Sequence, residues 1–244
     1  MSLGDHLEEL RRRILHALAG LVVGAGVGLA FARSIIDLLE RSYVVAMAEL
    51  GKDADLVVQG QTSGFTTYLG VAIVSGIVIA SPWILYQLWR FVAAGLYPRE
   101  RRAVMMAVPF SAALFVGGAV FFLLVASLPL MRFFARFDTQ FLGVRRLIPL
   151  GVHIRFMMRM MLVFAVGFQT PLVVLVLHGV GLVSMKTLRH YRRHVVVGVL
   201  IFAALMTSPS PVDQIALAVP MWLLYELGIL LAWIFGPKRH KTEG

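Results

Sequence analysis

The sequence of 244 residues has no cysteine, which excludes a disulfide framework and thiolate metal or redox centres. It is short of charge: 15% of residues are charged, and Asp and Glu together number 13. A soluble domain carries about 25% charged residues. Hydrophobic residues make up 59% of the chain, and its mean hydropathy is +0.82, so the polar surface is too small to coat a globule. The chain reads as an integral membrane protein. Also missing are H-E-x-x-H, G-x-S-x-G and a phosphate-cradling glycine loop, which removes the common hydrolase and nucleotide signatures. No internal repeat is visible, which weighs against repeat-built transporters.

What is present is a series of apolar blocks. A helix needs about 20 apolar residues to cross the hydrocarbon core. Six blocks qualify as spans: about 14–31, 67–92, 103–127, 156–177, 195–206 and 215–235. The expected fold is all-α, a single polytopic transmembrane domain over 1–244 with six helices and a tail at 237–244. The fifth block is short at 12 residues, about 18 Å of helix, and it ends at Ser208-Pro209-Ser210-Pro211. The connections 33–66 and 128–155 are long and hold apolar stretches, so short helices are expected over the outer ends of the spans. Ala30-Phe31-Ala32 has the form of a signal-cleavage site. The acids Asp5, Glu8 and Glu9 before the block, and the odd span count left by cleavage, argue for retention.

The net charge of +10 does not indicate nucleic acid, because the basic residues fall in short clusters between apolar blocks. Arg11, Arg12 and Arg13, Arg90 with Arg99, Arg101 and Arg102, Lys186 with Arg189, Arg192 and Arg193, and Lys238, Arg239 and Lys241 place 14 on one side. Arg33, Arg41, Lys52, Arg132, Arg136, Arg145 and Arg146 place 7 on the other, with Arg155 and Arg159 at the edge of span four. Basic residues favour the cytoplasm, so both termini are expected there. A face so basic should also attract anionic lipid head groups.

Few polar groups lie within the spans. Glu226 is a candidate because ionisable groups at membrane depth are costly; the alternative is that it snorkels toward Lys238 or Arg239. Gln169 and Gln214 suit interhelical hydrogen bonds. His190 and His194 are spaced i,i+4 but sit among Arg189, Arg192 and Arg193, where a metal cation would be repelled, so a solvated face is expected. On the basic side, Glu9 and Glu100 are flanked by arginines that favour their ionised forms. Each could accept a guanidinium in two-pronged fashion. Each also has a plain structural reading: Glu9 with Arg13 is an i,i+4 pair, and Glu100 follows Pro98 in the first turn of a helix.

These residues fall within longer motifs. His6-Leu7-Glu8-Glu9-Leu10-Arg11-Arg12-Arg13 resembles the amino-terminal signature of the TatC family, the six-span core of the twin-arginine translocase. Ser81 to Phe91, followed by Gly95-Leu96-Tyr97-Pro98-Arg99-Glu100-Arg101-Arg102, resembles its second span and first cytoplasmic loop. Phe164 to Pro171 resembles its fourth-span motif, and Gln214 through Leu223-Leu224-Tyr225-Glu226 its sixth.

The resemblance implies a non-enzymatic receptor for signal peptides carrying paired arginines. It also implies the core of a complex that exports folded proteins across the prokaryotic cytoplasmic membrane. The implied peptide-binding residues are Glu9, Leu10, Arg11, Phe91, Leu96, Glu100, Arg101 and Arg102. Single-span partners of the TatA and TatB kind are implied near spans five and six, at Thr207, Gln214 and Glu226, with Gln169 a further polar intramembrane position. Energy is implied to come from the proton-motive force, with no nucleotide or metal cofactor. Two positions depart from the family pattern: Gln169 stands where a glutamate is usual, and Ser210 where an aspartate is common, with Asp213 nearby. The competing reading from the residues alone is a small-solute or proton-coupled transporter using Glu226 and Gln169. An intramembrane hydrolase lacks a nucleophile–base pair.

Overall fold

The computed structural model describes residues 3–95, 98–137, 147–206 and 211–235. The chain is helical almost throughout. The helices are α1 (Leu3–Ala48), α2 (Ser63–Ala94), α3 (Pro98–Phe121), α4 (Ser127–Arg136), α5 (Leu150–Gly167), α6 (Thr170–Val180), α7 (Met185–His190), α8 (Arg192–Met206) and α9 (Pro211–Phe235). A π turn, Phe122–Ala126, joins α3 to α4. Among the described residues, five stretches are long and apolar enough to cross a membrane: Leu7–Ala48, Ser63–Ala94, Val104–Arg136, Leu150–Val180 and Leu217–Ile234. The short fifth block appears as α8, 15 residues or about 22 Å long. Val22, Leu124 and Leu205 are each more than 70% exposed, as side chains facing lipid should be.

Proline sets several of the local features. Pro171 has no amide to offer the carbonyl of Gly167 four residues earlier, and α5 ends at that glycine. The chain turns through Phe168 and Gln169 and re-enters helix as α6, with Pro171 in its first turn. Pro82 lies inside α2 and leaves the Val78 carbonyl without its helical donor. The Ser81 hydroxyl donates to that carbonyl at 2.7 Å, so α2 continues to Ala94.

The outer connections differ from expectation. Residues 33–48 do not form a separate helix; they continue α1 without interruption. Ala32, Leu39, Tyr43 and Ala46 recur at helical spacing, and all are buried, so packing carries the helix beyond its apolar block. Likewise α4 follows directly from span three through the π turn. The two connections also meet in a short parallel pairing of Leu56 with Ile148 and Val57 with Pro149, which the sequence does not announce.

The bundle closes through small residues, which let membrane helices approach closely. A Cβ on Gly24 of α1 would stand 2.5 Å from the Gly76 carbonyl oxygen of α2. On Gly118 it would meet the Phe164 carbonyl at 2.7 Å, joining α3 to α5, and on Gly228 the Pro171 Cα at 2.9 Å, joining α9 to α6. A second tie between α1 and α2 is the Trp83 indole N–H, which donates to the His16 carbonyl at 2.9 Å.

Candidate functional site

The amino-terminal end of α1 packs beside the carboxy-terminal end of α2, and the charged residues of the two helices meet there. Arg13 Nε donates to Glu9 Oε1 at 2.7 Å, and Arg13 Nη2 reaches the same oxygen at 2.5 Å. Arg13 Nη1 donates to Gln87 Oε1 on α2 at 3.0 Å. Gln87 is 2% exposed, so its amide is a fixed post against which the arginine is held. Both contacts to Glu9 fall on one oxygen; Oε2 has no hydrogen-bond or ion-pair partner among the described residues.

The i,i+4 pair expected from sequence therefore forms, but it does not use up the carboxylate. Glu9 precedes the apolar block that begins at Ile14. Arg13 is bonded to the half-buried Glu9 carboxylate, and Arg12 is the next residue but two along α1. Arg90 is held nearby on α2, its guanidinium 5.5 Å from the Tyr86 ring centroid and donating to the Tyr86 hydroxyl at 3.1 Å.

Leu10 and Phe91 are half-buried, while Arg11 and Arg101 are exposed. Pro98 opens α3, which places the backbone of Glu100 in its first turn. The side chains of Glu100 and Arg102, and the whole of Leu96, lie outside the described residues, as does Thr207.

The intramembrane candidates have local partners. Gln169, at the turn between α5 and α6, exchanges two hydrogen bonds with Ser111 of α3. The serine hydroxyl donates to Oε1 at 2.6 Å, and Nε2 donates to the serine carbonyl at 3.0 Å. Ser111 is fully buried. Glu226 of α9 pairs with Arg192 at the start of α8, 2.7 Å away. Lys238 and Arg239, the partners considered from sequence, lie outside the described residues. The neighbouring Tyr225 hydroxyl donates to the Leu188 carbonyl of α7 at 2.8 Å. Gln214 is half-buried on α9. His190 and His194 are both exposed, their ring centroids 6.5 Å apart.

Sequence reasoning missed four side-chain contacts: Arg13 to Gln87, Ser111 to Gln169, Arg192 to Glu226, and Glu49 of the α1 end to Arg132 of α4, joined by two hydrogen bonds. A buried glutamine in an apolar block signalled a partner in two of them, without saying which.

A family profile described as "Sec-independent protein translocase protein (TatC)" matches residues 5–220. Among curated relatives, the TatC protein of Desulforapulum autotrophicum is 31% identical over 98% of this chain and 87% of its own length. TatCy of Bacillus subtilis is 32% identical over 100% of this chain and 93% of its own length. A crystal structure described as the twin arginine translocase receptor TatC superposes with a TM-score of 0.82. It shares 28% identity and covers 94% of this chain and 98% of the other. The helical bundle as a whole is thus the fold of a solved relative, and the chain belongs to the TatC family of Sec-independent protein translocase proteins.

Proposed function

We propose that this chain is the twin-arginine signal-peptide receptor and core component of a translocase that moves folded proteins across the prokaryotic cytoplasmic membrane. The end of the bundle bearing Glu9 faces the cytoplasm, in line with the excess of basic residues at that end. Glu9 and Glu100 receive the paired arginines, and Leu10, Arg11, Phe91, Leu96, Arg101 and Arg102 contribute to peptide binding. The observation that carries this reading is the Oε2 of Glu9, without a partner among the described residues, on a carboxylate whose orientation is fixed by Arg13 and, through it, by Gln87. A peptide guanidinium can add to that oxygen without displacing Arg13. A lysine pair binds less well, because an ammonium offers a point charge and not a planar fork.

The wider complex includes single-span partners of the TatA and TatB kind, docked beside α8 and α9 near Thr207, Gln214 and Glu226. The chain works as a translocase component and not as a catalyst. A solute pathway through Gln169 and Glu226 has little support, since both side chains are engaged in interhelical pairs.

Site-specific crosslinking from a probe at position 12, which leaves Glu9 and Glu100 in place, to a synthetic signal peptide in native membranes tests the receptor reading. Crosslinks are expected with an Arg-Arg peptide, reduced with Lys-Lys, and lost when Glu9 and Glu100 are both substituted by glutamine. Equal crosslinking of both peptides, or normal export by a Glu100→Gln chain, would return the glutamates to purely structural roles.

A further inference from the structure

Of the arginines around Glu9, one has no counter-ion. Arg13 bonds Glu9 directly. Arg12 is exposed and follows the exposed Glu8 by four residues, a spacing at which opposite charges meet on a helix. Arg90 of α2 is half-buried and makes no ion pair among the described residues. Its place is set by the packing of two antiparallel helices, with Arg13 tied to Gln87 and His16 to Trp83. Glu9 lies about one turn before Arg13, and Arg90 about one turn after Gln87. The two therefore stand at the same level of the seam.

Arg90 is also held there. Its guanidinium donates to the Tyr86 hydroxyl at 3.1 Å and lies 5.5 Å from the centre of the Tyr86 ring. So anchored, it neither pairs with Glu9 nor swings out into water. A half-buried charge of this kind is screened less by salt than an exposed one. A peptide cation arriving at Oε2 of Glu9 thus meets a carboxylate, the arginine already bonded to it, and a second arginine without a counter-ion. The attraction that a bare carboxylate has for any cation is largely offset. What remains are the directed hydrogen bonds at Oε2, where a guanidinium presents a planar fork of donors and an ammonium a compact charge.

Given the receptor role proposed above, we infer that Arg90 is a specificity-determining residue of the signal-peptide site, a fixed repulsive charge that rejects cations lacking that fork. Specificity commonly needs such a repulsive element beside the attractive one. Repulsion acts alike on an ammonium and a guanidinium, so Arg90 does not set the ratio of their affinities. It lowers both, until the group with the better hydrogen bonds is the one retained.

The test is fluorescence anisotropy of labelled Arg-Arg and Lys-Lys signal peptides, titrated with the purified full chain in a non-ionic detergent over a range of salt. Arg90→Gln should tighten binding of both peptides about fivefold at low salt, the size expected of one half-buried unit charge within a side chain's reach. The gain should shrink as salt is raised. Arg90→Lys keeps the charge, and an ammonium can also sit over the Tyr86 ring, so it should bind both peptides as the native chain does. Unchanged or weaker binding by Arg90→Gln would overturn the role of Arg90. So would an Arg90→Lys chain that behaves like Arg90→Gln, since packing on Tyr86 would then be what matters. Both results leave the receptor reading in place if Arg-Arg binding is lost when Glu9 and Glu100 are replaced by glutamine. If that double variant binds the peptide normally, the receptor reading falls and the role of Arg90 falls with it.

Discussion

Arg13 stands between Glu9 of its own helix and Gln87 of the next, and it bonds both. Its side chain is only 11% exposed, so it is a structural cation whose hydrogens are shared between a carboxylate and an amide. That arrangement gives Glu9 one occupied oxygen and one open one, and makes Gln87 a positioning residue for a group it does not touch.

Gln87→Leu should therefore affect peptide binding from a distance. It leaves Arg13 Nη1 without its acceptor, a loss of about 1.5–3 kcal/mol for a charged donor, and frees Arg13 to spread over both Glu9 oxygens. Affinity for an Arg-Arg peptide is expected to fall about tenfold, while Lys-Lys affinity, already weak, changes less. A binding titration with both peptides checks this; equal losses would mean that α1 and α2 had simply separated.

The Ser111–Gln169 exchange predicts a coupling energy. Gln169→Leu removes both bonds and leaves the buried Ser111 hydroxyl unpaired, whereas Ser111→Ala removes only the hydroxyl bond and keeps the one from Nε2 to the backbone carbonyl; each should cost about 1–3 kcal/mol where a polar group stays buried and unpaired. The double substitution should cost less than the sum. Thermal unfolding in detergent, read as a double-mutant cycle, measures the coupling between α3 and the α5–α6 turn.

Close packing of α1 on α2 predicts a sharp difference between two neighbouring glycines. Gly24→Ala drives a methyl group against the Gly76 carbonyl, whereas Gly26→Ala meets nothing within 4 Å. The first should destabilise the chain by about 1–3 kcal/mol, as overpacking does. The second, which replaces a mid-helix glycine, should be neutral or slightly stabilising. Melting temperatures of the two variants decide it.

A pH dependence follows from Glu49 and Arg132. The hydrogen bond from Arg132, with its charge and that of Arg136, holds the Glu49 carboxyl below its ordinary value against an opposing desolvation effect. A carboxylate depressed in the folded state stabilises it above the unfolded value, about pH 4.3, and that contribution is lost as pH falls through the folded value. The α1–α4 contact should thus hold at neutral pH and weaken in acid. Arg132→Gln should flatten the acid limb of a melting-temperature profile.

How far the sequence revealed this arrangement differs from one element to the next. The apolar blocks are visible because a charge at membrane depth is costly, so a long uncharged run such as 103–127 suits little besides a membrane span. The α5–α6 turn is visible in Pro171. Continuity of α1 through Arg33, Asp37, Glu40 and Arg41 is concealed, because its charges resemble a loop while the buried Leu39, Tyr43 and Ala46 show their helical period only once packed. Glu9 is a candidate by residue type alone. Its tether through Arg13 to Gln87 spans 74 residues of chain and depends on the register of α1 against α2, which no local pattern encodes.

At 46 residues, α1 is about 69 Å long, roughly twice the thickness of the hydrocarbon core. Its closest approach to α2, at Gly24 and Gly28, falls near its midpoint. Ties to α2 at Arg13, His16, Gly24 and Gly28 and to α4 at Glu49 brace the rod along its length. Any displacement of the Glu9 end must therefore carry α2 with it, as one rigid pair of helices.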